Sequence, residues 1–352
     1  MENSTITAID GVTVGHVTDV QNATGVTVVR FVGEGATAAV SVQGAAPGTR
    51  ETDLLDPGNL VDKVHAIVLT GGSAYGLDAA SGVMTVLEAQ GQGLEVMPGV
   101  LVPIVPAAVL FDLAIGSPGV RPNADWGKEA VMTASSQPVQ SGNIGAGTGA
   151  TVGKLGGPDF VTKGGLGSAV TVLPTGTRVA ALVAVNAVGE IVDSRSGAVV
   201  AGVRSSRAGE YRSAVDLATG MLDREGPIAA NTTIGIVATD ATLTKSELKK
   251  VAEMAHDGLA RAIRPVHTQF DGDTVFAVSM GFDRSTEGST PGSGSSLNSI
   301  GVAAAKALEL AIIDGVKAAE SLLGVVASKD WSDQADKKTQ ETRDGPTHTG
   351  EQ

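Results

Sequence analysis

Short apolar runs, each closed by glycine, proline or a polar residue, limit what this chain can become. Val26 to Phe31, Ala36 to Val42, Val64 to Thr70, Ala107 to Leu113, Val179 to Val185, Thr233 to Thr239 and Thr274 to Val278 have the length and β-branched content of strands. Gly33-Glu34-Gly35 joins the first two as a turn. Tyr75 to Gln90 has helical spacing, with Leu77, Ala80, Val83, Met84 and Leu87 on one face. Trp126 to Ala134 reads as a short helix. Thr244-Lys245-Ser246-Glu247 is a capping box, Thr at the N-cap and Glu three later. The helix behind it buries Leu248, Val251, Ala252, Ala255, Leu259, Ala262 and Ile263, and Pro265 ends it. Leu297 to Leu323 predicts a long Ala-rich helix. The order is mixed, without the alternation of a barrel or an internal repeat. The expectation is a layered α/β sandwich, sheets inside and helices on the outer faces.

The connections differ in kind. Arg204 to Ala230 is polar with no steady period and predicts a mobile link. Ser285 to Ser299 is Gly/Ser-rich, and Ser328 to Gln352 is charged and apolar-poor, which predicts disorder. A length of 352 residues allows one large domain or two smaller ones. With 42% hydrophobic residues, 3% aromatic and 47 glycines, the core must be Val, Ala, Leu and Ile with close backbone approaches.

A formal charge of −13 argues against nonspecific nucleic-acid binding and against anionic membranes. The absence of cysteine excludes disulfides, thiol nucleophiles and zinc-thiolate sites. Met1 to Asp10 lacks a basic start and an apolar core, and no apolar run reaches about 18 residues. The expectation is a cytoplasmic protein with no signal and no span.

Several familiar chemistries fail on spacing. Gly153-Lys154 would end a phosphate loop, but Thr148 stands where its first glycine belongs and Leu155 where its hydroxyl belongs. Gly147-x-Gly149 meets Val152 where a dinucleotide fingerprint needs glycine. No G-x-S-x-G occurs, and Ser73 lacks the second glycine. His16, His65, His256, His267 and His348 form no metal-binding pair, so structural or surface roles are expected and no metal or cofactor is implied.

What remains is Asn231-Thr232-Thr233-Ile234 and Asp271-Gly272-Asp273-Thr274. A cut between Asn231 and Thr232 would set the Thr232 hydroxyl beside its own α-amine, nucleophile and base in one residue. Asp271 and Asp273 have three readings: a plain turn, a cation site, or carboxylates that orient an ammonium. Asn186 ends an apolar strand, where a buried amide needs partners. It either bonds a turn or points an N–H at an oxyanion. Lys154 after a glycine turn is ordinarily solvated.

Together with Gly44-Ala45-Ala46-Pro47-Gly48-Thr49-Arg50-Glu51-Thr52, Gly71-Gly72-Ser73-Ala74-Tyr75-Gly76-Leu77, the Gly145 to Lys154 run and His267-Thr268, these segments resemble the DmpA-like family of N-terminal-nucleophile hydrolases. That family holds L-aminopeptidase/D-esterases, β-aminopeptidases and nylon-oligomer endohydrolases. The resemblance runs from about residue 6 to about residue 325. It implies a four-layer αββα sandwich of the DmpA/ornithine-acetyltransferase type, self-cleaved into residues 1–231 and 232–325, with 326–352 a disordered tail. It implies homo-oligomers of cleaved units, tetramers or larger, acting on a small amide or peptide. Thr232 falls on the nucleophile. Asp271 and Asp273 fall where nylon-oligomer hydrolases carry two aspartates; the aminopeptidases have a hydroxyl residue at the first. Asn186 matches an oxyanion stabiliser, Lys154 another active-site position, and Tyr75 and Arg121 the substrate cleft. Arg121-Pro122 stands where nylon-oligomer hydrolases have Tyr-Pro, so an arginine there could meet a substrate carboxylate. The implied activity is aminopeptidase-like amide hydrolysis through an acyl-enzyme. Endo-hydrolysis of 6-aminohexanoate oligomers, acyl transfer from a threonine nucleophile, and an uncleaved binding subunit are the alternatives.

Overall fold

A computed structural model describes residues 3–220, 231–281 and 295–334. Two sheets dominate it. The first is five-stranded, in the order Val12–Asp19, Thr24–Phe31, Ala66–Thr70, Ala107–Val109, Thr49–Arg50. The second is six-stranded, in the order Gly165–Val172, Arg178–Asn186, Thr232–Thr239, Thr274–Ser279, Ala36–Val42, Lys63–Val64.

Alternate side chains of both sheets meet in one apolar cluster. Phe31, Ile67 and Leu69 of the first sheet share it with Leu182, Ile234, Ile236 and Phe276 of the second. Helices α1 (Ala79–Ala89) and α2 (Ala124–Met132) cover the far face of the first sheet, where Val83, Leu87, Ala130 and Val131 pack on Val26, Val28, Ala66 and Val68. After α3 (Ala214–Gly220), α4 (Lys245–Ala262) and α5 (Leu297–Ala318) cover the far face of the second, with Leu248, Leu259, Leu308 and Ile312 on Val183, Val185, Val237 and Val275. Strands buried on both faces explain the continuous apolar runs that replace a polar–apolar alternation.

The capping box at Thr244 is present, with Glu247 reaching back to the Thr244 N–H at 2.8 Å. Helix α4 is the crossover that lets the Thr232–Thr239 and Thr274–Ser279 strands run parallel.

Several expectations change. Val26–Phe31 and Ala36–Val42 are consecutive but do not pair; Gly33-Glu34-Gly35 carries the chain from one sheet to the other. The expected strand from Val64 to Thr70 divides at His65, with Lys63–Val64 in the second sheet and Ala66–Thr70 in the first. His65 Nδ1 accepts the Ile104 N–H there (3.0 Å). Arg204 to Gly220 is ordered: Val203–Arg204 pairs with Tyr211–Arg212, and α3 follows. Residues 221–230 of that expected link, and 285–294 of the Gly/Ser-rich stretch, lie outside the described residues. Within the expected tail, residues 335–352 lie outside the described residues, and residues 328–334 are helical. Trp331 anchors them, donating to the Glu210 carbonyl (3.1 Å) under the Arg204 guanidinium. One aromatic in a charged window is enough to anchor a turn of helix whose other side stays exposed.

The Gly165–Val172 strand was masked by its glycines. A Cβ on Gly167 would stand 2.1 Å from the Ala311 carbonyl oxygen, so the residue is small to let α5 lie against the strand. The glycine-rich run before it is held from inside by a lysine. Lys163 is fully buried and donates to the carbonyls of Gly147, Ala150 and Gly164, each at 3.0 Å. Burial lowers its pKa from 10.5 to about 7. The unfolded chain keeps that proton to higher pH than the folded one, so stability gains from this residue as pH rises from 7 to 10.5. Lys163→Met should remove three hydrogen bonds, leaving the Gly147 and Ala150 carbonyls only their backbone donors (Ala150 N–H at 3.3 Å and Gly164 N–H at 2.9 Å), and lower unfolding free energy by about 2 kcal/mol at neutral pH. It should also flatten the rise in stability above pH 7. Denaturant unfolding at several pH values checks both, and an unchanged midpoint and slope would contradict this role.

Candidate active site

The topology of the second sheet brings remote segments to one edge. Asn186 is the last residue of its strand and pairs with Thr232, the first of the next. The Thr274–Ser279 strand lies parallel on the other side, so Asp271, Gly272 and Asp273 arrive at the same end, with Asn231 bridging Asp271. A loop from the Ala36–Val42 strand closes the edge. The N–H groups of Gln43 and Gly44 bond the Asp273 carbonyl (3.0 and 3.3 Å), and that of Ala46 bonds the Asp271 carbonyl (2.8 Å).

Thr232 is buried at this junction, and its hydroxyl donates to the carbonyl oxygen of Asn231. The same oxygen accepts the Gly272 N–H at 3.1 Å. Two donors therefore converge on the carbonyl of the 231–232 peptide bond. Glycine is required beside them, since a Cβ at residue 272 would stand 2.9 Å from Thr232 Oγ1 and 2.8 Å from the Ala46 carbonyl oxygen.

Both aspartates face inward, each 2% exposed, which sets aside a solvated turn. Asp273 Oδ1 accepts the Thr233 N–H (2.7 Å), and Oδ2 accepts the His267 N–H (3.2 Å) and bonds its ring Nδ1 (2.8 Å). Asp271 Oδ2 accepts the Thr268 N–H (2.7 Å). Burial, then the neighbouring Asp273 carboxylate, push Asp271 up to about 6. Among the described residues no group of three or more His, Cys, Asp or Glu could hold a metal ion.

Across the strand pair, Lys154 Nζ donates to the Asn186 carbonyl (3.0 Å) and to Asn186 Oδ1 (2.9 Å). It is therefore bound into the site and not simply solvated. Burial lowers it to about 7, with Asp271, Asp112 and Asp273 opposing that shift. Asn186 Oδ1 also accepts the Thr151 N–H (3.0 Å), and Nδ2 donates to the Phe111 carbonyl (3.1 Å). The amide is thus locked in orientation at the edge that carries Thr232.

Phe111 leads to the outer part of the site. Its neighbour Asp112 accepts the Gly72 N–H (2.7 Å), and Gly72 packs against Arg121 and Pro122. The Arg121 guanidinium carbon lies 3.8 Å over the Tyr75 ring, and its Nε donates to the Pro118 carbonyl (2.7 Å). Tyr75 is 62% exposed. Among the described residues no hydrogen bond or ion pair joins either side chain to Thr232. They form a second, outer group.

This arrangement has relatives. Residues 4–329 match the model of peptidase family S58. The chain belongs to peptidase family S58. An uncharacterized aminopeptidase of Mycobacterium leprae is 42% identical over 344 residues, 92% of each chain. The 6-aminohexanoate-oligomer endohydrolase of Paenarthrobacter ureafaciens is 35% identical over 287 residues, 80% of this chain and 76% of its own. Among solved structures, the L-aminopeptidase D-Ala-esterase/amidase of Ochrobactrum anthropi, described as a variant of the Ntn hydrolase fold, superposes with a TM-score of 0.68 at 22% identity, covering 97% of this chain and 94% of that one. A Burkholderia sp. β-aminopeptidase gives 0.66 at 22% identity, with the same coverage. The fold is that of these Ntn hydrolases, and this S58 member is a hydrolase of amide bonds.

Within the S58 frame, Thr232, Asn231, Asn186, Lys154, Asp271 and Asp273 meet at one sheet edge. Structural or surface roles were expected for the histidines, His267 among them, and nothing in the sequence marks Asp112 or Lys163. His267 lay four residues before Asp271 in a segment already singled out; its spacing offered the one available signal. Gly272→Ala should lower the unfolding free energy by about 2 kcal/mol, since the added methyl would meet Thr232 Oγ1 at 2.9 Å and the Ala46 carbonyl oxygen at 2.8 Å. Denaturant unfolding checks this, and an unchanged midpoint would contradict the packing of residue 272 on Thr232.

Proposed function

We propose that the chain is a self-processing amide hydrolase whose nucleophile is Thr232. The observation that carries the reading is the convergence of the Thr232 hydroxyl and the Gly272 N–H on the Asn231 carbonyl oxygen. In the precursor, Thr232 Oγ attacks the Asn231 carbonyl carbon. The oxyanion forms where Gly272 already donates. The C–N bond breaks, the Thr232 nitrogen takes the proton, and Asn231 becomes an ester of Oγ. Water hydrolyses that ester and leaves Thr232 with a free α-amine. Lys154 and Asp271, both moved toward neutrality, are the groups that can take and return the proton in that first step.

In the mature enzyme the α-amine, with an ordinary pKa of about 7.7–8.0, deprotonates the hydroxyl for attack on substrate. It then protonates the leaving amine, and water releases the acyl group. Asp271 and Asp273 hold the ammonium form, and Asn186 stabilises the oxyanion. The fragments 1–231 and 232 onward stay joined, because the Arg178–Asn186 and Thr232–Thr239 strands pair along their full length. The two sheets and two helix pairs are read as the four-layer αββα sandwich, and the enzyme as a cytoplasmic homo-oligomer of such units. No helix among the described residues is long and apolar enough to cross a membrane.

The substrate is read as a peptide or other linear amide, cleaved in aminopeptidase fashion, with Tyr75 and Arg121 as its outer contacts. Endo-cleavage of 6-aminohexanoate oligomers is the second reading, favoured by the relative at 35% identity and by Asp271 beside Asp273. Activity on an aminoacyl p-nitroanilide but not on an oligomer supports the first reading, and the reverse supports the second. Thr232→Ala should remain one full-length chain without hydrolytic activity, while Thr233→Ala should be cut and active. Gel electrophoresis and an amide-hydrolysis assay decide; a processed Thr232→Ala protein would overturn the assignment.

A further inference from the structure

His267 is placed unlike any other histidine among the described residues. It has φ +56°, in the left-handed region, and this turns both its backbone N–H and its ring toward one oxygen, Asp273 Oδ2. Its other ring nitrogen, Nε2, is buried and has no hydrogen-bond partner among the described residues. The ring's hydrogen bonding is thus directed to Asp273 alone. Behind it stands His256 of α4, edge-on at 4.8 Å, whose Nε2 donates to the Ser41 carbonyl (3.0 Å). Burial lowers His256 to about 4, so it adds no positive charge near neutral pH. The other charged groups around the pair are Asp271, Lys154 and, beside His256, Asp257.

The two aspartates are unequal in consequence. Asp273 takes three N–H donors, one of them the imidazole, whereas Asp271 takes the Thr268 N–H and faces a like charge. Hydrogen bonds from several donors fix the orientation of a carboxyl group, so Asp273 is the more rigidly held of the two. The third donor to Asp273 is the N–H of Thr233, the residue after the proposed nucleophile.

We propose that His267 is a positioning residue that acts through Asp273: its ring Nδ1 and its backbone N–H hold Oδ2, so that Oδ1 stays on the Thr233 N–H at the start of the Thr232 strand. The role rests on the reading of Thr232 as nucleophile. It fixes the orientation of the Asp273 carboxyl beside the liberated amine.

The test uses full-length wild type, His267→Gly and His267→Asn. Glycine and asparagine both accept a left-handed backbone. Glycine removes the ring, whereas the asparagine amide offers an N–H near the place of Nδ1. For each, kcat and KM are measured on an amide that the wild type hydrolyses, with thermal unfolding alongside. His267→Gly should lower kcat about tenfold, the size of one hydrogen bond to a charged group, with KM nearly unchanged. His267→Asn should restore most of the wild-type kcat. A residue needed for packing alone would lower the unfolding temperature and leave the kcat of the folded protein in place, which would overturn the proposal. Should His267→Gly not fold, His267→Asn decides: loss of the wild-type kcat overturns it. Wild-type protein found uncut after residue 231 removes the reading of Thr232, whereas cut, active wild type with an unchanged His267→Gly kcat removes the role of His267 alone.

Discussion

The Gly272 N–H bonded to the Asn231 carbonyl at 3.1 Å is the contact on which the site turns. It joins the entrances of two parallel strands, and parallel neighbours bring the same end of each to the same place. The antiparallel Arg178–Asn186 strand leaves the sheet at that end, so Asn186 comes opposite Thr232. One crossover helix, α4, makes the geometry possible. Segments remote in sequence thus meet without any long loop, on strands whose side chains are locked by two layers of core. Sites built on such elements hold their groups more tightly than sites on loops.

The electrostatics follow from burying several charges together. Lys154, Lys163, Asp112, Asp271 and Asp273 lie in or beside a region closed by apolar strands. An isolated charge there would be costly, and neighbours of opposite sign with full hydrogen bonding offset that. Lys163 satisfies itself on three carbonyls, and Asp112, pushed up by burial, is steadied by it. Lys154 and Asp271 are shifted toward neutrality from opposite directions, both through burial first. A site with one cation near 7 and one carboxyl near 6 can move protons at ordinary pH without a catalytic histidine. His267 fits this scheme as a support to a carboxylate.

Much of the architecture was legible because the strands are buried on both faces. Val179–Val185 stands out as an unbroken apolar run and Thr233–Thr239 as a β-rich one, and α4 announces itself by its capping box. The assignment of strands to sheets was not legible. A glycine turn after Phe31 looks the same whether it returns the chain to its neighbour or passes it to another sheet. The Gly165–Val172 strand hid because its glycines serve the approach of α5, a property of the partner and not of the segment. In the site, the strand-ending Asn186 and the Asp271-Gly272-Asp273 triplet drew attention through local oddity. Lys163 and His267 did not: a lysine or histidine in sequence carries no sign of whether it will be enclosed.

The central claim is that the bond between Asn231 and Thr232 is broken by Thr232 itself to make the working enzyme. The intact mass of active wild-type protein, expressed without added protease, tests it most directly. The account predicts two polypeptides, the smaller beginning Thr-Thr-Ile-Gly, in equal amounts and in one assembly. A hydrolytically active chain of 352 residues with that bond unbroken would contradict it.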